Sequence, residues 1–118
     1  MRDGTTFEQR DIVLIPFPYS NFSETKKRPV LIISNSTHHH QSNDIIYCAI
    51  TSQEKIFEQT INIENKDLEF GNLHYDSAIK PTKIFTIQKK RIIKRLGRLN
   101  MNITRKVLDE LKYFTNLE

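Results

Sequence analysis

Short apolar runs separated by polar turns are the feature that most constrains the fold of this 118-residue chain. Residues 11–17, 30–33 and 45–50 are almost wholly apolar and have the length of buried β-strands, not of helices. Residues 57–63 alternate apolar and polar side chains, as a half-buried strand does. The pattern predicts a mainly β protein.

The middle of the chain continues with shorter elements. Residues 64–72 are polar and are predicted to form a loop. Two short strands are expected at residues 77–79 and 83–87, broken by Pro81, because proline cannot donate to a sheet.

The hydrophobic period then changes to that of a helix. Residues 88–96 are predicted to form a short helix that Gly97 ends, and residues 104–117 carry the clearest apolar stripe, with Thr104 or Asn102 as its cap. Several strands followed by a C-terminal helix predict one domain over residues 1–118. The expected class is mainly β with helices (α+β), a small, partly closed barrel.

Composition limits the setting in which the chain works. Charged residues make up 27% and hydrophobic residues 37%, as in globular proteins, and no apolar run approaches the roughly 20 residues of a membrane span. The N-terminus lacks the apolar segment of a secretory signal. Cys48, the single cysteine, lies in an apolar run and is expected to be a buried, inert thiol. We therefore predict a cytoplasmic protein without a membrane partner.

Positive charge is concentrated in one third of the chain. The net charge is +4, and residues 77–108 contain no acidic side chain. The basic residues of that stretch are Lys80, Lys83, Lys89, Lys90, Arg91, Lys94, Arg95, Arg98, Arg105 and Lys106. This distribution predicts a polyanionic partner, either a nucleic acid or an acidic protein segment.

A cluster of three basic residues, Lys26, Lys27 and Arg28, directly precedes Pro29 and the second apolar run. Pro29 biases Arg28 toward an extended backbone, which predicts that its guanidinium is held at the end of a sheet. A fixed, planar guanidinium is suited to binding phosphate oxygens. The alternative is an ordinary solvated surface residue.

A second polar group, Thr51, Ser52 and Gln53, directly follows the third apolar run. The hydroxyls can bind a phosphate or a ribose 2′-OH, but neither is acidic enough to act alone as a base. His74 lies two residues from Asp76, and Glu24 precedes Arg28 by four residues. Each has the alternative of being an unremarkable surface residue.

Metal and cofactor chemistry receive no support from the sequence. Residues 38–40 are three consecutive histidines, which rarely ligate one ion because neighbours on an extended segment point to opposite sides. An exposed loop is the expected structure there. No glycine-rich phosphate loop, CxxC or HExxH motif is present, so we expect neither a metal nor a cofactor.

Three segments resemble the PemK/MazF toxins, the small endoribonucleases of toxin–antitoxin pairs. These are DIVLIPFPYSNFSETKKRPVLIIS, YCAITSQ and SAIKPTKIFTI followed by KRIIKRLGRLN. The resemblance implies a PemK/MazF-like, SH3-like barrel and a homodimer that cleaves single-stranded RNA, often mRNA, without metal. It also implies an antitoxin whose acidic, disordered tail occupies the RNA groove.

The resemblance assigns roles by position. The family's catalytic Arg falls on Arg28, its catalytic Thr on Thr51, an accompanying hydroxyl on Ser52 and an acidic loop position on Glu24. Arg28 is expected to stabilise charge, while Glu24 and His74 are the candidate bases. The expected RNA-binding residues are Lys26, Lys27, Gln53, Lys80 and Lys83.

Two positions depart from the family pattern. Arg10 stands before Asp11 where the family usually has Gly, which we expect to be tolerated only if the backbone there does not need a positive φ. Lys80 and Thr82 take the places of an Arg and an Asp that some members use. That subgroup's acid–base pair is therefore missing.

Two other functions fit the same scaffold. A toxin resembling the CcdB gyrase inhibitors would bind a protein without chemistry. A plain nucleic-acid-binding barrel would bind RNA in a salt-sensitive manner and release no cyclic phosphate.

Overall fold

Strands dominate the fold. The computed structural model describes residues 6–17, 26–52 and 60–118. The strands are β1 (Asp11–Pro16), β2 (Lys27–Ile32), β3 (Asp44–Ser52), β4 (Ile61–Ile63), β5 (Leu68–Gly71), β6 (Ser77–Gln88) and β7 (Lys94–Leu99), and the helices are α1 (Ser36–Gln41) and α2 (Met101–Thr115). The strands form one curled, antiparallel sheet in the order β4-β6-β3-β2-β1-β7-β5. This confirms the predicted mainly β class with a C-terminal helix.

Strand alternation divides the core between the two faces of the sheet. In β1, Ile12 joins one buried cluster, whereas Val13 and Ile15 join the other. Helix α2 covers the first cluster with Val107. Its N-cap is Asn100, not the predicted Thr104 or Asn102, because the Asn100 side chain accepts a hydrogen bond from the backbone N–H of Ile103 at 2.8 Å.

The predicted helix over residues 88–96 is wrong. Only the short 3₁₀ turn Lys89–Arg91 is helical, and β7 begins at Lys94. The apolar spacing matches a helix, but backbone hydrogen bonding with β1 and β5 decides the structure. Gly97 ends no helix and instead pairs with Gly71 across β5 and β7.

The predicted break at Pro81 is also corrected, since β6 runs without interruption past this residue. Cys48 pairs with Ile84 but the next residue of β3, Ala49, pairs with Lys80. Pro81 is therefore accommodated, fully buried, in a bulge that does not pair with β3.

Two predicted loops differ from the structure, and one predicted strand is described only in part. Residues 64–72 are not wholly a loop, because they contain the 3₁₀ turn Asn65–Asp67 and strand β5. The three histidines lie in α1, with His39 buried, instead of in an exposed loop. Of the strand predicted at residues 57–63, the part before residue 60 lies outside the described residues.

Arg10 adopts the left-handed backbone that the sequence argument expected it to avoid, with φ of 83°. Its guanidinium Nη1 donates to Glu69 Oε2 at 2.6 Å and to the carbonyl of Leu99 at 3.0 Å. Its backbone N–H donates to the carbonyl of Ile32. These contacts offset a conformation that glycine adopts without cost.

Candidate active site

Arg28 and Thr51 lie on the same face at one end of the sheet. Val30 pairs with Ala49 and Leu31 with Cys48 across β2 and β3. When this register is extended two residues beyond the last pair of the ladder, Arg28 comes opposite Thr51. Because alternate residues share a face, both side chains lie on the face that carries Val30 and Ala49.

The same alternation separates Ser52 from this pair. Ser52 is exposed at the last position of β3 and follows Thr51 directly, so it belongs to the opposite face. It pairs with Ser77, the first residue of β6. The two hydroxyls that the sequence placed together therefore lie on different sides of the sheet.

Phe17 supports the Arg28 guanidinium, a contact that the sequence analysis missed. Arg28 Cζ lies 5.1 Å from the centroid of the Phe17 ring, within cation–π range. The backbone N–H of Phe17 donates to the carbonyl of Lys26 at 2.6 Å, and Ile15 pairs with Arg28. The sequence feature that could have indicated this contact is an aromatic residue at the end of the first apolar run.

The other predicted site residues fall in three groups. Lys26 and Lys27 are exposed at the start of β2, and Lys80 pairs with Ala49 on the face of Arg28. Lys83 is exposed in the β6 bulge, and His74 is exposed in the loop before β6. Glu24 and Gln53 lie outside the described residues.

An aromatic pair on the same face was also missed. Tyr47 pairs with Ile32 on one side and with Phe85 on the other, and its ring centroid lies 5.8 Å from that of Phe85. Tyr47 is 6% exposed and Phe85 is 45% exposed. Only the register of three strands reveals that these rings share a face with Arg28 and Thr51.

The family of PemK-like, MazF-like toxins of type II toxin–antitoxin systems matches residues 8–115. This chain belongs to that family. Two solved structures that resemble this PemK/MazF member contain a partner. One is an endoribonuclease in complex with its cognate antitoxin from a mycobacterial species, 14% identical with a TM-score of 0.74 over 96% of this chain and 100% of that one.

The other is a MazE–MazF structure from Deinococcus radiodurans, 13% identical with a TM-score of 0.74 over 94% of this chain and 97% of that one. The toxin MazF-mt6 of Mycobacterium tuberculosis is 16% identical with a TM-score of 0.71 over 92% and 99% of the two chains. At these identities the likeness is one of fold. A search of curated proteins returns no match.

The basic stretch of this PemK/MazF member is divided between two surfaces. Lys80 lies on the face of Arg28, whereas Lys90, Lys94 and Arg105 line a groove of about 1540 Å³. The groove extends from Asn43, next to the start of β3, to Lys94, which pairs with Leu14 on the face opposite Arg28. The described residues that line this groove include neither Arg28 nor Thr51.

A buried carboxylate joins β1 to β7. Asp11 is fully buried, and its oxygens accept from Arg95 Nε at 2.9 Å and Arg98 Nε at 2.7 Å. The hydrogen bond from Arg98 to Asp11 raises the pKa of Arg98. The paired charges satisfy one another, so these arginines serve the fold instead of an open anion site.

Two titratable groups near the core are shifted by burial. Desolvation, followed by the charge of Lys89, lowers the pKa of His39, whose Nε2 lies 2.6 Å from Ser34 Oγ. Burial raises the pKa of the Cys48 thiol to about 12, which agrees with the predicted inert thiol.

Within residues 6–17, 26–52 and 60–118, no three His, Cys, Asp or Glu side chains lie close enough together to hold a metal ion. None of the helices in this part of the chain has the length and apolar character needed to cross a bilayer.

Proposed function

We propose that this toxin is a metal-independent endoribonuclease that cleaves single-stranded RNA, often mRNA. The observation that carries the proposal is the placement of Arg28 opposite Thr51 on one face of the sheet. Lys80 lies on the same face, so the site combines a guanidinium, a hydroxyl and an ammonium group for a phosphate.

The reaction uses a nucleophile that the RNA supplies. The 2′-oxygen forms a bond to the adjacent phosphorus, the bond to the 5′-oxygen breaks, and the products carry a 2′,3′-cyclic phosphate and a 5′-OH. The proton of the 2′-OH passes to a base, and the leaving oxygen receives a proton. No oxidant or co-reactant is required.

Arg28 stabilises the charge that develops on the phosphorane and donates a hydrogen bond to the leaving oxygen. It does not serve as the base, because an arginine pKa stays above about 12. Stacking on Phe17 limits the motion of the guanidinium. Thr51 positions the phosphate, a role that Ser52 does not share because it belongs to the opposite face.

The base is assigned to Glu24 or His74. His74 lies in the loop that leads into Ser77, and Ser77 pairs with Ser52 at the end of β3 that carries Thr51. Glu24 is placed near Arg28 by sequence alone. Separate Glu24→Gln and His74→Gln variants distinguish the two, because only loss of the base should remove the rise of rate with pH that deprotonation of that base produces.

We further propose a cytoplasmic homodimer that an antitoxin with an acidic, disordered tail inhibits. The positive surface around Arg28 and Lys80 suits such a tail as well as RNA. The two similar solved structures described above, an endoribonuclease with its cognate antitoxin and a MazE–MazF structure, support an antitoxin partner. Light scattering on the purified chain tests the dimer directly.

The central test is Arg28→Ala, with Lys106→Ala as a control because Lys106 is an exposed basic residue on α2. Arg28→Ala should reduce RNA cleavage by at least about 100-fold, in the range of losing one transition-state donor, with unchanged thermal unfolding. End-mapping should find cyclic phosphate only with active protein. Full cleavage by folded Arg28→Ala would overturn the assignment.

The same experiment separates the alternatives. A gyrase-binding toxin would arrest growth without cutting purified RNA, and Arg28→Ala would leave growth arrest intact. A binding barrel would retain RNA in a salt-dependent manner but yield no new ends.

A further inference from the structure

We propose that Phe85 is a nucleobase-stacking residue, so that the RNA surface extends along β3 and β6 away from the Arg28–Thr51 site. The inference rests on the proposed ribonuclease function and deepens it. It assigns a binding subsite to a residue that bears no charge and lies far from Arg28 in the sequence.

Position is the first argument. Tyr47 and Thr51 are four residues apart on β3 and therefore share a face, and Phe85 pairs with Tyr47. Four residues of strand span about 13 Å. That distance matches about four nucleotides of a stacked strand, which advances about 3.4 Å per nucleotide, and fewer of an extended one.

Exposure and support are the second argument. The Phe85 ring is 45% exposed although a fully apolar side chain gains nothing from water. Tyr47, 6% exposed, packs against it at 5.8 Å between ring centroids. Contact with this buried ring on the neighbouring strand limits the motion of Phe85, so little entropy is left to lose when a base stacks on it.

Charge is the third argument. Phe85 and Lys80 both belong to the face of Arg28, on either side of the β6 bulge. Aromatic rings that alternate with basic groups along a groove are the general means of binding single strands: the cations follow the phosphates and the rings receive the bases. Stacking of this kind tolerates any base, since every base has a π-face.

Phe85→Ala is the test, with Ile84→Ala as its matched control. Ile84 is the adjacent residue of β6, is 37% exposed, and belongs to the opposite face. The probe is a fluorescent single-stranded RNA with 2′-O-methyl groups throughout, which removes the nucleophile and prevents cleavage. Light scattering on each variant measures the oligomeric state.

Phe85→Ala should weaken binding roughly 5- to 100-fold, Phe85→Trp should retain it, and Ile84→Ala should leave it unchanged. In a scan that places one abasic site at each position of the RNA in turn, one position should weaken binding to the wild type. The abasic site at that position should not weaken binding to Phe85→Ala any further. Wild-type affinity in Phe85→Ala, or full rescue by Phe85→Leu, would overturn the stacking role.

Three outcomes identify which proposal fails. If RNA cleavage depends on Arg28 but Phe85→Ala binds normally, only the subsite is wrong. If Phe85→Ala changes the oligomeric state and not RNA affinity, the residue belongs to a subunit contact instead. If wild type neither binds nor cuts RNA, the subsite fails together with the ribonuclease function.

Discussion

At the scale of the residue, Arg10 illustrates how one side chain offsets an unfavourable backbone. Its φ of 83° costs a non-glycine residue about 1–2 kcal/mol. The hydrogen bonds from its guanidinium to Glu69 and to the Leu99 carbonyl work against that cost. The Glu69 pair is partly exposed and contributes little by itself, so the Leu99 contact is the more valuable one.

Comparing two substitutions at Arg10 separates these effects. Arg10→Ala keeps the backbone cost and loses both side-chain contacts, so the free energy of unfolding should fall by about 1–2 kcal/mol. Arg10→Gly loses the same contacts but relieves the backbone, and it should be about 1 kcal/mol more stable than Arg10→Ala. Urea unfolding of both variants measures the difference. Equal stabilities would contradict a strained Arg10.

At the scale of the element, β5 and β7 can approach each other only because two glycines meet. A Cβ on Gly97 would lie 2.6 Å from the Phe70 carbonyl oxygen, and one on Gly71 would lie 2.2 Å from that of Leu96. Both contacts are with backbone atoms, which cannot rotate away. The edge of the sheet beyond β7 thus depends on the absence of two side chains.

Gly97→Ala should therefore destabilise the protein by about 1–3 kcal/mol, as overpacking does. Lys94→Ala, at an exposed position of the same strand, is the control and should change stability by less than about 0.5 kcal/mol. Thermal unfolding compares the two. Hydrogen exchange should also find the largest loss of protection in β5. If Gly97→Ala had the stability of the wild type, β5 and β7 would be able to separate at little cost in free energy.

These elements also define how far the sequence could predict the structure. The first three strands were predicted because each is buried and its apolar run is self-evident. Strand β7 was not, because its hydrogen-bond partners β1 and β5 lie far away in the sequence and its apolar spacing imitates a helix. Local periodicity carries no information about such partners.

The residues of the candidate site likewise include some that the sequence predicted and some that it missed. Arg28 and Thr51 were predicted because each stands at the end of a recognisable strand. Phe17 and Phe85 were missed because an aromatic residue in an apolar run usually belongs to the core, and only the register of β1, β3 and β6 brings them to the site. The separation of Ser52 from Thr51 likewise required the alternation of β3.

At the scale of the whole molecule, the charge distribution determines which lysines affect RNA binding. Lys80 lies on the face of Arg28, whereas Lys94 pairs with Leu14 on the opposite face and lines the groove. A net-charge argument treats the two as equal, because each contributes one positive charge. The salt dependence of RNA binding distinguishes the two lysines, because only a lysine that contacts a phosphate releases a condensed ion.

Lys80→Gln should thus weaken binding of single-stranded RNA and reduce the slope of log affinity against log salt by about 0.7. Lys94→Gln carries the same change in net charge and should leave the slope unchanged. Fluorescence titrations at several salt concentrations measure both slopes. If Lys94→Gln flattened the slope and Lys80→Gln did not, the RNA would lie in the groove.

The buried thiol of Cys48 has a consequence for following the protein in time. Cys48 is fully buried in β3, the strand that carries Thr51, and burial raises the pKa of its thiol to about 12. A thiol in this state does not react with alkylating reagents until the strand opens. The rate at which Cys48 is alkylated therefore reports how often β3 opens, and β3 is the strand on which the proposed chemistry depends.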